Sequence, residues 1–256
     1  MGLRYAAGLP TVGEFGDVRK LVELGVSADR HGWDGVHLWD HLLYHDPADP
    51  VTNSVVAASA IAAATERVQI LLTVVLPRRQ AQDVAQEAAA LDQLSGGRLT
   101  LIPIIGSVDE EFTEFGLDAD MRVRGKALDE RIRVMRELWE RWGTRRIPIW
   151  CGGLWPNRAG LRRAARNDGA MPIFHEQRER NVPVEEFGDV VSFLRGEGAG
   201  TGFDLVLEGA TEVSTAAEQT SPYGETGLTW WIEALGYWRG GVGFAAERIS
   251  QGPVAR

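Results

Sequence analysis

Short apolar runs alternate along the whole chain with segments whose apolar residues recur every three or four positions. The runs cover residues 4–9, 36–39, 68–76, 99–105, 147–151, 170–174, 203–208 and 228–233. Continuous apolar runs of this length suit strands buried on both faces. The helical pattern opens after Asp17, a good N-cap, with Val18, Leu21, Val22, Gly25 and Ala28 on one face and Gly32 as a stop. Further helices are predicted over 53–64, 80–94, 157–166, 184–195, 211–221 and 244–249. Leu128, Ile132, Met135, Trp139 and Trp142 form a wide apolar stripe on another.

Eight strands alternating with helices imply a parallel sheet. Spread over 256 residues, each unit averages about 32 residues, near the roughly 30 a βα repeat needs. The predicted fold is a (β/α)8 TIM barrel in one domain spanning residues 1–256. An open doubly wound sheet competes, but no glycine-rich dinucleotide turn follows the first run. Pro103 lies inside the fourth run and cannot donate to a ladder, so a local bulge is expected there.

Composition narrows the partners. The formal net charge is −9, which argues against nucleic acid or an anionic membrane surface. No apolar stretch is long enough to span a bilayer. Cys151 is the single cysteine, so no internal disulfide forms, in keeping with a reducing compartment. The opening residues lack the basic-then-apolar run of a signal peptide. The expectation is a cytoplasmic protein with a small-molecule substrate, and a homodimer is left open.

In a TIM barrel the chemistry sits at the C-terminal ends of the strands. Those ends supply Asp40 and His41, a carboxylate beside a candidate acid–base histidine. They also supply Thr73 and Val74, then Gly106 and Ser107. Gly152 and Gly153 precede a helix that Asn157 can cap and Arg158 can charge, which reads either as a phosphate seat or as a tight turn. His175, Glu176, Glu208, Trp231 and Glu233 complete a candidate substrate pocket. Trp230 and Trp231 must point to opposite faces of their strand. His37, His41 and His45 are spaced four apart, but on a strand and a loop this spacing does not gather three rings, so no metal site is expected.

Three stretches carry a resemblance. One runs from Leu91-Asp92-Gln93-Leu94-Ser95-Gly96-Gly97-Arg98 through Glu111-Phe112 and Phe115-Gly116. The second is Trp33-Asp34-Gly35-Val36-His37-Leu38-Trp39-Asp40-His41. The third is Ile147 to Gly153, continuing to Asp168-Gly169. Together they resemble the bacterial luciferase-like monooxygenase family. The resemblance implies a barrel that binds FMN or the deazaflavin coenzyme F-420. It implies Gly152 and Gly153 at the phosphate, Thr73-Val74 and Gly106-Ser107 near the ring, and His41 with Asp40 beside it. Two features depart from the family. Ile102 and Ile104 stand where relatives carry glycines, and the short 143–146 connection replaces an excursion expected to cover the site.

The function so implied is an oxidoreductase performing hydride transfer or monooxygenation on a small organic substrate. The arginine-rich composition tilts the choice towards the deazaflavin. A non-catalytic flavin-binding protein on the same barrel is the alternative, motivated by Ile102 and Ile104. A metal-dependent hydrolase is a remoter third.

Overall fold

The computed structural model describes residues 2–44, 46 and 48–254. The strands are β1 (Arg4–Leu9), β2 (Gly35–Leu38), β3 (Gln69–Val75), β4 (Leu99–Ile104), β5 (Trp150–Leu154), β6 (Gly169–Ile173), β7 (Asp204–Gly209) and β8 (Trp230–Ala234). Their order is β4-β3-β2-β1-β8-β7-β6-β5, and every ladder is parallel. A bridge from Leu101 to Ile149 joins the two ends, with Leu101 N donating to Pro148 O at 2.9 Å. The sheet is therefore a nearly closed barrel and not an open one.

Between the strands run α1 (Val18–Arg30), α2 (Ser54–Ala64), α3 (Ala81–Leu94), the short α4 (Glu110–Thr113), α5 (Met121–Arg141), α6 (Arg158–Ala165), α7 (Val184–Gly196) and α8 (Ala216–Thr226). The last, α9 (Gly241–Ser250), follows β8. Asp17, Asn53, Asp120 and Asn157 cap α1, α2, α5 and α6 by accepting backbone N–H bonds, which satisfies donors the first turn leaves open. Helix α8 starts five residues later than its pattern suggests, because Thr211 is engaged elsewhere: its N–H and hydroxyl both donate to Glu233.

The expected bulge at Pro103 does not occur. The register from Ile70↔Leu99 to Val75↔Ile104 is unbroken. Leu101 points its N–H towards β5, and so does the ring nitrogen of Pro103 two residues on. The β4–β5 seam is reduced to the single bridge at Leu101, so the missing donor falls where no ladder needs it.

Side chains alternate inward and outward along each strand. Ala6, Leu71, Ile102, Trp150, Val206, Trp230 and Ile232 point in and fill the barrel as a dry plug. The opposite positions, among them Ala7, Val36, Leu72, Val74, Cys151 and Trp231, pack under the helices in the larger core. Trp230 and Trp231 divide as expected, the first beside Trp150 inside and the second against Tyr223 of α8.

The Ser95-Gly96-Gly97-Arg98 segment is structural and lies at the N-terminal end of the barrel. Gly96 and Gly97 take φ of 66° and 86°, open to glycine at little steric cost. Arg98 donates to the carbonyls of Ala62, Thr65 and Val68, and Arg145 pairs with Asp92 at 2.5 Å. The connection through Arg145 thus joins α5 to the start of β5, on the rim opposite the strand ends. Its shortness does not uncover a site there, contrary to the expectation drawn from the sequence.

Candidate active site

Above the plug, the next inward layer contains Gly8, His37, Thr73, Ile104, Gly152, Met171 and Glu208. All of these but Gly8 line a cavity of about 460 Å³ at the C-terminal rim. The walls are Trp39, Asp40 and His41 from the end of β2, Ser107 after β4, and residues 173–179 between β6 and α7. That last connection covers the cavity. Arg178 places its guanidinium within 5.5 Å of the ring centroids of Trp39, Tyr44 and Trp238, a cation held against aromatic faces. Trp39 and Trp238 stack at 5.7 Å.

Two acid–base clusters meet the cavity. The first is built on Glu111, which α4 carries in from the loop after β4. Its carboxylate is fully buried. It accepts from Arg78 Nη1 at 2.6 Å and from the N–H of Leu42 at 2.6 Å, and it lies 3.0 Å from His41 Nδ1. Burial alone would raise its pKa. The hydrogen bond from His41, the charge of Arg78 and the Leu42 N–H outweigh that and hold it below the usual value. Arg78 also reaches Asp40 at 3.1 Å, and Asp40 accepts from Val75 N at 2.7 Å. Asp40 and His41 are thus linked through Arg78 and Glu111, with no direct contact needed.

The second cluster is on the floor. His37 Nε2 lies 2.8 Å from the Thr73 hydroxyl. Its Nδ1 is buried without a hydrogen-bond partner among the described residues, 3.8 Å from Glu208 Oε2. Burial pushes the imidazole down to about 4 and the Glu208 carboxyl up to about 7. For Glu208, Arg178 and a hydrogen bond from Trp39 work against the rise, and Glu233 adds to it.

Strand alternation sorts the residues expected from the sequence. Asp40, His41, Thr73, Ser107, Gly152, His175, Glu176 and Glu208 line the cavity. Val74 and Trp231 occupy outward positions and pack in the outer core. Glu233 also points outward, where Thr211, Trp231 and Arg239 donate to it. Gly153 serves packing: a Cβ there would meet the backbone of Gly160 and Leu161 at 3.0–3.1 Å, so its bare backbone admits α6. At Gly106, φ is 86° and a Cβ would meet Val75 and Phe112 at 2.8 and 2.9 Å, so this glycine closes the loop under Glu111. Asn157 caps α6, and Arg158 lies over Trp155 and Phe193.

His45 lies outside the described residues. Of its two companions, His37 is engaged with Thr73 and His41 with Glu111. Among the described residues no group of three or more His, Cys, Asp or Glu is arranged to hold a metal ion. No helix among them is long and apolar enough to cross a membrane.

The cavity suits the flat ring of a flavin or deazaflavin. Trp39, Ile104, Met171, Ile173 and Phe174 give it apolar walls, and His37 Nδ1 supplies an unused polar atom at the floor. Ile104 lines the cavity next to β5, where a Cβ on Gly152 would stand 3.3 Å from it. Ile102 belongs to the plug below.

Known proteins are similar to parts of this sequence, and others are similar to its fold. An F420-dependent glucose-6-phosphate dehydrogenase of Gordonia bronchialis is 32% identical over 144 residues, 54% of this chain and 43% of that protein. One of Rhodococcus erythropolis is 36% identical over 126 residues, 47% and 37% of the two chains. The chain thus spans less than half the length of these curated relatives. Among solved structures, an F420-dependent secondary alcohol dehydrogenase in complex with an F420-acetone adduct superposes with a TM-score of 0.75 at 17% identity, covering 98% of both chains. A Pseudomonas putida 3,6-diketocamphane monooxygenase component in complex with FMN gives 0.66 at 15% identity, covering 88% of this chain and 73% of that one. The description "luciferase-like monooxygenase" belongs to the family model that matches residues 4–182, and the chain belongs to that family.

Proposed function

We propose that this protein is an oxidoreductase that uses the deazaflavin coenzyme F-420 to exchange a hydride with a small hydroxyl- or carbonyl-bearing substrate. The observation that carries the reading is the orientation of His41 on the wall of a ring-sized cavity. Glu111 is an anion with hydrogen-bond donors around it, so it accepts from His41, and the proton on the imidazole sits at Nδ1. His41 Nε2 is then the acceptor nitrogen, available to a substrate hydroxyl. Arg78 and the Leu42 N–H fix Glu111 and through it the tautomer.

The coenzyme, when bound, supplies a carbon centre that takes up or releases a hydride. His41 receives the hydroxyl proton as the alcohol carbon loses its hydride and becomes a carbonyl, and it returns the proton in the reverse direction. Ile104, Met171, Ile173, Phe174 and Trp39 hold the ring and keep water from it. The sequence relatives named as F420-dependent enzymes support this choice of coenzyme. The FMN-bound monooxygenase neighbour motivates FMN as the second reading.

Titration of the purified protein with coenzyme F-420 and with FMN, followed by absorbance and by tryptophan fluorescence, decides between them. Trp39 lines the cavity, so an occupying ring should quench it. Quenching by F-420 at far lower concentration than by FMN is expected. The reverse order would turn the reading to a flavin enzyme, and no quenching by either would favour a barrel that no longer binds a coenzyme.

A further inference from the structure

The cluster on the cavity floor has no part in the chemistry assigned to His41. Glu208 lies near the C-terminal end of β7, where Gln177 holds its backbone carbonyl at 2.7 Å. Its side chain points inward towards His37, 2% exposed on β2. Gly8 is in register with His37, and a Cβ on it would meet Ile232 and the Glu233 carbonyl of β8 at 2.8 and 2.9 Å and stand 3.7 Å from Glu208 Oε2. His37 and Glu208 approach to 3.8 Å without a hydrogen bond, a separation that one atom of a ligand can bridge. Leaving a buried polar atom without a partner is costly. Such an atom on the floor of a cavity is therefore a candidate ligand contact.

We infer that Glu208 and His37 hold one proton between them and present it to an uncharged oxygen, carbonyl or hydroxyl, of the molecule bound in the cavity. The inference rests on the oxidoreductase reading only for the identity of that molecule. Its two sources are the coenzyme ring, which carries carbonyl oxygens, and the substrate.

The surroundings set the pair's charge. Trp39 donates to Glu208, and Arg178 faces it from the connection after β6. Glu233 acts on it from β8, Thr73 backs His37, and Asp40 and His41 stand on the adjoining wall. Burial is the largest influence on both members. It favours the neutral carboxylic acid up to about pH 7 and the neutral imidazole down to about pH 4. Between those limits the pair carries one acidic proton and no net charge, suited to a neutral oxygen.

The test begins on the protein without ligand. Infrared difference spectra between pH 5 and pH 9 should show the C=O stretch of a protonated carboxylic acid disappearing with a midpoint near 7. Glu208→Gln should remove that band, and Asp40→Asn should leave it. Addition of coenzyme F-420 alone, or of FMN where F-420 fails to quench fluorescence, should shift the band if the oxygen belongs to the ring. A shift that needs cyclohexanol as well assigns the oxygen to the substrate. In the first case the coenzyme's dissociation constant rises about tenfold from pH 6 to pH 8 in the wild type and stays level in Glu208→Gln. His37→Gln should keep the carboxyl band and weaken its response to ligand. Absence of the band from the wild type at pH 6 overturns the inference, whatever the coenzyme proves to be. A band that no added molecule shifts overturns it equally.

Discussion

Glu111 and Glu208 each stand beside a histidine that lines the same cavity, and their environments drive them in opposite directions. Glu111 is surrounded by donors: Arg78, His41 and the N–H groups of Leu42 and Leu43. Its carboxylate is stabilised as an anion. Glu208 has Trp39 and a more distant Arg178, and burial prevails. Burial alone therefore does not set a carboxyl's state; the number of donors aimed at it does. In the reading proposed above, the first glutamate orients a base and the second keeps a proton.

The largest effect should fall on rate. His41→Ala should lower turnover about a hundred- to ten-thousand-fold, the range of a general acid or base, read as F-420 reduction with the best substrate from a panel of secondary alcohols. Coenzyme quenching of tryptophan should be retained. His41→Gln should recover binding better than turnover, since it keeps a hydrogen bond and cannot titrate. Wild-type rates in both variants would transfer the base role elsewhere.

Next comes stability, where the two glutamates should part most clearly. Glu111→Ala leaves the Arg78 guanidinium, 4% exposed, without its main counter-charge. Breaking a buried pair in this way costs about 3–5 kcal/mol. Glu208→Gln removes no ion pair and keeps the shape, so its denaturation midpoint at pH 6 should not fall below the wild type. Equal losses in urea titrations of the two variants would erase the distinction.

A smaller effect separates two adjacent glycines. Gly153→Val forces a side chain into the backbone of α6 and should cost about 1–3 kcal/mol, the usual penalty for overpacking. Gly152→Ala faces the cavity, so it should disturb coenzyme affinity more than the melting temperature. The opposite pattern, with Gly153 governing affinity, would restore the phosphate seat first read from the sequence.

Much of the architecture could be read from periodicity, because eight apolar runs separated by helical stretches leave few alternatives. Which residues meet in the cavity was harder to read. Position at a strand end does not by itself select the cavity, because neighbours such as Thr73 and Val74, or Gly152 and Gly153, face opposite ways. The signal for sorting them exists in the period of two: once Trp230 is inward, Ile232 follows it and Trp231 and Glu233 do not. Glu111 stands out in the sequence only as part of a family-like stretch, because nothing local reveals that α4 carries it to His41, 70 residues away. His37 is visible in the sequence only within a histidine triplet. Arg178 gave no sign at all, since the rings it meets come from the loop after β2 and from beyond β8.

The most gradual effect is a slope in stability against pH. The folded Glu208 keeps its proton up to about pH 7, whereas its usual value is 4.5. Between these values the folded chain binds a proton that the unfolded chain has released, so stability is full below about 4.5 and falls as pH rises to about 7. His37 acts on the other side. Its folded value of about 4 lies below the usual 6.5, so its contribution is present above 6.5 and is lost as pH falls towards 4. Glu111, also lowered, contributes above its usual value and loses that contribution as the solution turns more acid. Glu208→Gln should therefore gain on the wild type progressively from pH 4.5 to pH 7 and keep a constant lead above that. His37→Gln should narrow the wild-type advantage as pH falls from 6.5 to 4. Urea midpoints at half-unit steps of pH resolve both trends. A Glu208→Gln curve that stays parallel to the wild type across the whole range would mean that Glu208 ionises like an exposed glutamate, and the contrast with Glu111 would collapse.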